Sequence, residues 1–259
     1  MTAPALSDIK AANAAVNDRG YALVSFSRPF GPYLAWLAIR MGTTPRQVNY
    51  FSLLLVFAIL GLVAAGGSTG RICGTALVFL WQIIDVTDGT MARALKIRDN
   101  FGGFVDYATG MVIASFLPFC LAIGVYGVPD GSFTLALAEV GRTVADPSVL
   151  VLMAGAGVSM LSLYMRLINR VLLIRFGDSL AGSRSSKQPA AGAVSRLHTI
   201  VKNLETIGGV QAMVFCAAAV AGLLEIVLVV YFFFYVALLG VFALSTHRGY
   251  GNRTKYLTD

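Results

Sequence analysis

Residues 72–95 read ICGTALVFLWQIIDVTDGTMARAL. A bilayer is crossed by about 20 mostly apolar residues in helical form, and this stretch is long and apolar enough to do so. Yet its second half carries two carboxylates, Asp85 and Asp88. Burying a carboxylate in hydrocarbon is costly, so such residues face the interior of a helix bundle and have partners there. The stretch therefore predicts a membrane helix with one functional face.

Five further apolar stretches lie around it, at about 48–65, 101–125, 147–176, 206–224 and 225–245, with the division between the last two near Glu225. Gly66, Gly67, Ser68, Thr69 and Gly70 form the turn between the first two spans, and Lys96 to Asn100 the polar step after the second. The expected architecture is an all-α integral membrane protein of six transmembrane helices. An N-terminal juxtamembrane or interfacial helix precedes them, because the apolar piece 26–41 is too short to span. The stretch 6–24 is alanine-rich, of mixed polarity, and fits an amphipathic helix on the membrane. No signal peptide is expected, because Lys10, Asp18 and Arg19 interrupt any apolar core. The chain reads as one membrane domain, 1–259. Residues 1–45 form cytoplasmic or interfacial helices, 46–245 the six-helix bundle and 246–259 a cytoplasmic tail.

Composition agrees. Of the 259 residues, 57% are hydrophobic and 13% charged, where a soluble domain has about a quarter charged. The mean hydropathy is +0.74. The net charge of +7 fits basic loops on the cytoplasmic side of a membrane rather than a nucleic-acid partner. Most Lys and Arg fall before the first span, after the second, after the fourth and at the C-terminus, and only Arg71 and Arg142 fall on the opposite side. That pattern predicts both termini, and the acidic end of the second span, in the cytoplasm. Cys73, Cys120 and Cys216 sit singly in apolar runs, which argues against a disulfide framework or a zinc site.

On a helix, Asp85 and Asp88 share one face, a turn apart. Asp106 opens the next helix, across a tight turn, where it can meet them. Gly89 removes side-chain bulk, and Arg93 follows one turn later. Three carboxylates without matching buried cations call for a counter-charge. A hard divalent cation that bridges carboxylates to phosphate oxygens supplies one. An ion-pair network with Arg93 and a cation pathway are the alternatives at this point. Near the end of the fourth span, Arg166, Asn169 and Arg170 fit either a phosphate or headgroup site or an ordinary basic flank.

The order Asp85-x-x-Asp88-Gly89-x-x-Ala92-Arg93, eight residues, Gly102-x-x-x-Asp106 resembles the signature of the CDP-alcohol phosphotransferases, also called CDP-alcohol phosphatidyltransferases. Residues 42–48, around Thr44 and Pro45, resemble the turn that commonly precedes that family's first span. The resemblance implies transfer of a phosphate-linked group from a CDP-activated donor, either CDP-diacylglycerol or a CDP-linked alcohol, to an alcohol acceptor. CMP is released, in phospholipid biosynthesis. It implies Mg²⁺ or Mn²⁺ held by Asp85, Asp88 and Asp106, and nucleotide contacts at Asp88, Gly89, Ala92, Arg93 and Gly102. It also implies a homodimer among membrane lipids. The family pattern ends in a fourth aspartate that acts as the base on the acceptor, and here that position is Gly110. A base from elsewhere (Asp99, Glu205 or His198), an acceptor that attacks as an anion, a catalytically impaired or repurposed relative, and an aspartate replaced to block turnover all stay open. Thr109, next to it, is a poor base. A small cation-coupled transporter is the alternative from another class.

Overall fold

The computed structural model describes residues 4–14, 21–97, 99–139, 146–184 and 193–254. Within these the chain is a succession of helices. Three short ones open it: α1 (Leu6–Ala14), α2 (Ala22–Ser27) and α3 (Gly31–Arg40). The continuous amphipathic helix expected over 6–24 is thus two pieces, with 15–20 outside the described residues. Along α2 and α3 the exposed side chains Phe26, Phe30, Tyr33, Leu37 and Met41 recur every three or four residues, so they line one apolar face.

Five helices are long and apolar enough to cross a membrane: Pro45–Ala65 (α4), Gly67–Ala94 (α5), Phe101–Gly127 within α6 (Asn100–Gly127), Pro147–Ile168 within α8 (Pro147–Arg184) and Leu224–Leu244 within α11 (Leu224–Thr254). A short helix, α7 (Ser132–Glu139), occupies the segment expected as a loop between α6 and α8. The stretch expected as the fifth of six spans is not one straight helix. Residues Ile207–Ala221 within it follow α9 (Ala193–Glu205), which lies in the segment read as a polar interruption, and are bent by 72° against its last part, Thr199–Glu205. The described residues therefore give five straight spans, and six crossings only if this bent pair counts as one.

The cause of the break is local. Gly209 has φ −90° and ψ −129°, outside the helical region, and a Cβ there would overlap the backbone of Asn203. A π-helical turn, Ile207–Gln211, carries the chain into α10 (Ala212–Ala221). Irregular backbone at membrane depth persists only where protein satisfies its polar groups. The Tyr235 hydroxyl donates to the Glu205 carbonyl at 2.7 Å, and Asn203 Oδ1 accepts from the Ala22 N–H at 2.9 Å.

The bundle is built on α4, α5 and α6, with α8 against α6, α11 against α8, and α10 against α5. Its core includes Val56, Ile59, Val63, Val78, Trp81, Leu117, Leu121, Phe215, Leu228 and Tyr235. At the turn from α4 to α5 a Cβ on either Gly66 or Gly70 would lie 2.6 Å from the Leu62 carbonyl, so small residues are required for so tight a reversal. At the other end, Thr44 caps α4 by a capping box. Gln47 N–H donates to Thr44 Oγ1 at 3.3 Å, and Thr44 N–H donates to Gln47 Oε1 at 2.8 Å, with Pro45 in the first turn. That cap fixes the first turn of α4 beside the C-terminal end of α5.

Candidate functional site

The end of α5, the start of α6 and the start of α4 meet around Asp85, Asp88 and Asp106. Three cavities open there. The largest, about 520 Å³, is lined by Thr44, Arg46, Asn49, Asp88, Gly89, Ala92, Arg93, Asp99, Gly102 and Asp106, among others. The second, about 270 Å³, has Tyr21, Trp81, Gln82, Asp85, Asp106, Tyr107, Gly110, Arg166 and Gly208 in its wall. A third, about 200 Å³, is lined by Asn13, Arg28, Gln82, Asp85, Asp88, Gly89, Arg93 and Asp106. Asp106 lines all three, Asp88 the first and third, and Asp85 the second and third. The carboxylates thus stand at the junction between two larger spaces.

The carboxyls of Asp85 and Asp106 approach within side-chain hydrogen-bonding range of each other, and Asp88 is near enough to both for direct electrostatic interaction. Gln82 Nε2 donates to Asp85 Oδ2 at 3.3 Å. Asn49 donates to the Gly102 carbonyl at 3.2 Å and lies in side-chain hydrogen-bonding range of Asp88. Among the described residues no group of three or more His, Cys, Asp or Glu side chains forms a ready cage for a metal ion. The donor chemistry nevertheless fits a hard cation. Mg²⁺ is commonly held by one or two carboxylates, with substrate phosphates and water completing its shell, and Asp85 with Asp106 is such an oxygen pair facing open space.

The small residues lie where close approach is possible. Gly89, Ala92 and Gly102 all line the 520 Å³ cavity. The Arg93 guanidinium folds back over Gly89, where a Cβ would stand 3.3 Å from Nη1. Arg46 Nη2 pairs with Asp99 Oδ2 at 2.8 Å at the rim. Asp99 also caps α6 by accepting from the Phe101 N–H at 3.0 Å. The hydrogen bond from Arg46 holds the Asp99 carboxyl below the ordinary aspartate range.

Gly110 opens into the 270 Å³ cavity, and a Cβ added there would meet no atom within 4 Å. Arg166 lines the same cavity, its Nε toward Ser162 Oγ at 3.4 Å and its buried Nη2 without a hydrogen-bond partner. The Trp81 Nε1–H, in the same wall, is likewise buried and unpartnered. The Arg170 and His198 side chains lie outside the described residues. Of the other possible bases, Asp99 faces the larger cavity, and Glu205 is absent from the Gly110 cavity wall. The buried Thr109 hydroxyl donates to the Val105 carbonyl at 2.8 Å, back into its own helix.

Asn13, Asn49 and Gln82 were not singled out from the sequence. Asn49 and Gln82 left a signal, as uncharged polar side chains within apolar spans. No model of a known protein family matches the chain, and no curated protein matches it.

Proposed function

We propose that this protein is a membrane enzyme that transfers a phosphate-linked group from a CDP-activated donor to an alcohol. The observation that carries the reading is the placement of Asp85, Asp88 and Asp106 at the junction of a 520 Å³ and a 270 Å³ cavity. A two-substrate transfer needs two spaces that meet at the reacting atoms. The motif resemblance and the oxygen-only donor set support the same reading.

In this reading the donor's pyrophosphate lies in the larger cavity, beside Gly89 and Gly102 and the Arg93 and Asp99 side chains that stand over them. Arg93 and Arg46 contact its anionic oxygens. The acceptor enters the smaller cavity, beside Gly110 and Arg166. Asp85, Asp88 and Asp106 would hold a divalent cation, which would supply neutralisation of charge on the pyrophosphate. The acceptor oxygen forms a bond to the donor's phosphorus, and the pyrophosphate P–O bond breaks with its electron pair leaving on CMP. Asp85, Asp88 and Asp106 orient this centre, and because Gly110 offers no group to take it, the acceptor's proton is released to water. With the bent pair counted as a crossing, the distribution of Lys and Arg puts this end of the bundle and both termini in the cytoplasm, and the apolar face of α2 and α3 lies in the membrane interface.

A second reading, a relative that binds the donor without turnover, is favoured by one observation: neither Asp99 nor Glu205 lines the cavity that Gly110 opens into. The test is CMP release by purified protein supplied with CDP-diacylglycerol, a panel of alcohols, and Mg²⁺ or Mn²⁺. Metal-dependent release from wild type or Gly110→Asp, lost in Asp88→Asn, supports the enzyme. Release from neither would sink it. Donor binding lost in Asp88→Asn, with no turnover, would favour the second reading.

A further inference from the structure

We infer that Asn13, on the N-terminal helix α1, is a positioning residue that sets the Arg93 guanidinium over Gly89, making α1 a working part of the site. The inference rests on the proposed function only for its ligand, not for its geometry.

A nine-residue helix is marginal by itself in water, so α1 takes its place by docking. Ile9 is fully buried with Ala35 and Met91, and Lys10 Nζ donates to the Tyr33 hydroxyl at 2.9 Å. This brings Asn13, 7% exposed, into the wall of the 200 Å³ cavity beside Asp88 and Arg93.

The Asn13 amide is used at both ends. Its Nδ2 donates to the Arg28 carbonyl at 3.3 Å. A carbonyl only accepts, so this contact fixes which end of the amide faces which way. Oδ1 is thereby turned to α5, where Arg93 Nη2 donates to it at 3.5 Å, and the Thr90 hydroxyl lies 3.2 Å away while also donating to the Val86 carbonyl. Arg93 Nη2 reaches Thr90 Oγ1 at 3.3 Å as well. The guanidinium is gripped on its Nη2 side and lies against Gly89, between the largest and smallest cavities. A side chain 80 residues away in sequence thus joins Thr90 in holding the arginine's Nη2.

The test is a double-mutant cycle in full-length purified protein, with binding of CDP-diacylglycerol in the presence of Mg²⁺ as one readout. The other is the rate of Arg93 modification by phenylglyoxal, read by peptide mass spectrometry, which needs no substrate. Asn13→Ala is expected to weaken donor binding about tenfold, the loss of one hydrogen bond to a charged group. It is expected to add nothing when combined with Arg93→Lys, and to raise Arg93 modification several-fold. Asn13→Asp keeps an oxygen toward Arg93 but loses the donor to the Arg28 carbonyl and adds a negative charge beside Asp88, so Arg93 modification is expected to stay near wild type while donor binding remains weakened. Where Asn13→Ala does not fold, Asn13→Ser, too short to reach Arg93, replaces it. Additive losses in the cycle, or unchanged Arg93 modification, would overturn the inference. If wild type binds no CDP-diacylglycerol, the proposed function falls, and the modification rate alone still decides the role of Asn13.

Discussion

Helix α5 carries a polar cluster near each end, and the two are built differently. Arg71, near its start, is 3% exposed. Its Nη1 donates to the Gly124 and Val128 carbonyls at 2.7 Å each, and Nη2 reaches Ser68 Oγ at 3.1 Å. Asp130 and Glu225, close enough to act on Arg71 electrostatically, exchange caps between two helices. Asp130 accepts from the Leu224 N–H at 2.8 Å, and Glu225 accepts from the Gly131 and Phe133 N–H groups at 3.1 and 2.9 Å. Every charge there has an opposite charge or a helix N-terminus before it. About 21–26 Å along the same helix, at 1.5 Å per residue, Asp85 and Asp88 face Asp106 and open cavities. A buried polar cluster saturated by its own chain holds the fold together, whereas the acidic one, turned toward open cavities, is where the proposed function seats its ligands.

The largest expected effects break this comparison or make it firm. Arg71→Met strips two buried carbonyls and leaves Asp130 and Glu225 without their cation. A loss of about 2–4 kcal/mol is expected from two buried carbonyls left without a donor, measured by thermal unfolding in detergent. Asp88→Asn removes one of three crowded like charges, so its melting temperature should equal or exceed that of wild type. Its CMP release should fall by on the order of 10²-fold or more. If Asp88→Asn melts as badly as Arg71→Met, the acidic end is structural too and the comparison fails.

Two glycines of α6 sharpen the same contrast. Gly124 packs its backbone against the Val63 carbonyl, where a Cβ cannot fit. Gly124→Ala is expected to cost about 1–3 kcal/mol by overpacking. Gly110 faces open space instead, so Gly110→Asp should cost nothing by overpacking, and any fall in melting temperature comes from the added charge beside Asp85 and Asp106. The variant should raise CMP release on the order of 10²-fold, the usual worth of a positioned base. A Gly110→Asp variant that folds and binds donor but gains no turnover would show that the acceptor needs no base.

Much of the acidic site was legible because helical spacing is fixed by geometry. Asp85, Asp88, Gly89 and Arg93 fall on one face at any plausible register, and a short turn brings Asp106 to them. The straight spans were legible for the same reason, since length and apolarity decide them. What was not legible depends on contacts between distant segments. Asn13 meets Arg93 only because Ile9 docks α1 against Ala35 and Met91. Asn49 meets Asp88 only because the Thr44 cap sets the first turn of α4. The break at Gly209 was read as part of a continuous span, because hydropathy is blind to a backbone that leaves the helical region. The Asp130–Glu225 exchange was missed because it joins a loop to a span 95 residues on.

The smallest expected effect lies at the rim of the larger cavity and concerns pH. Arg46 and Asp99 pair at 2.8 Å, but their side chains are 53% and 30% exposed, so water and salt screen them and the pair contributes little. Asp99 is still held below the ordinary aspartate range, first by the hydrogen bond from Arg46. Its small stabilisation is therefore present above the unfolded value, about 3.9, and disappears as pH falls through the lower folded value. Asp99→Asn isolates this contribution, because asparagine caps α6 about as well as aspartate. Its unfolding curve should lie slightly below that of wild type near neutral pH and merge with it below about pH 3, with the gap shrinking in high salt. A gap that widens toward acid would mean that the paired form opposes folding. Arg71 should show no comparable change over this range or with salt, because its partners include backbone carbonyls that do not titrate and burial shields it from screening.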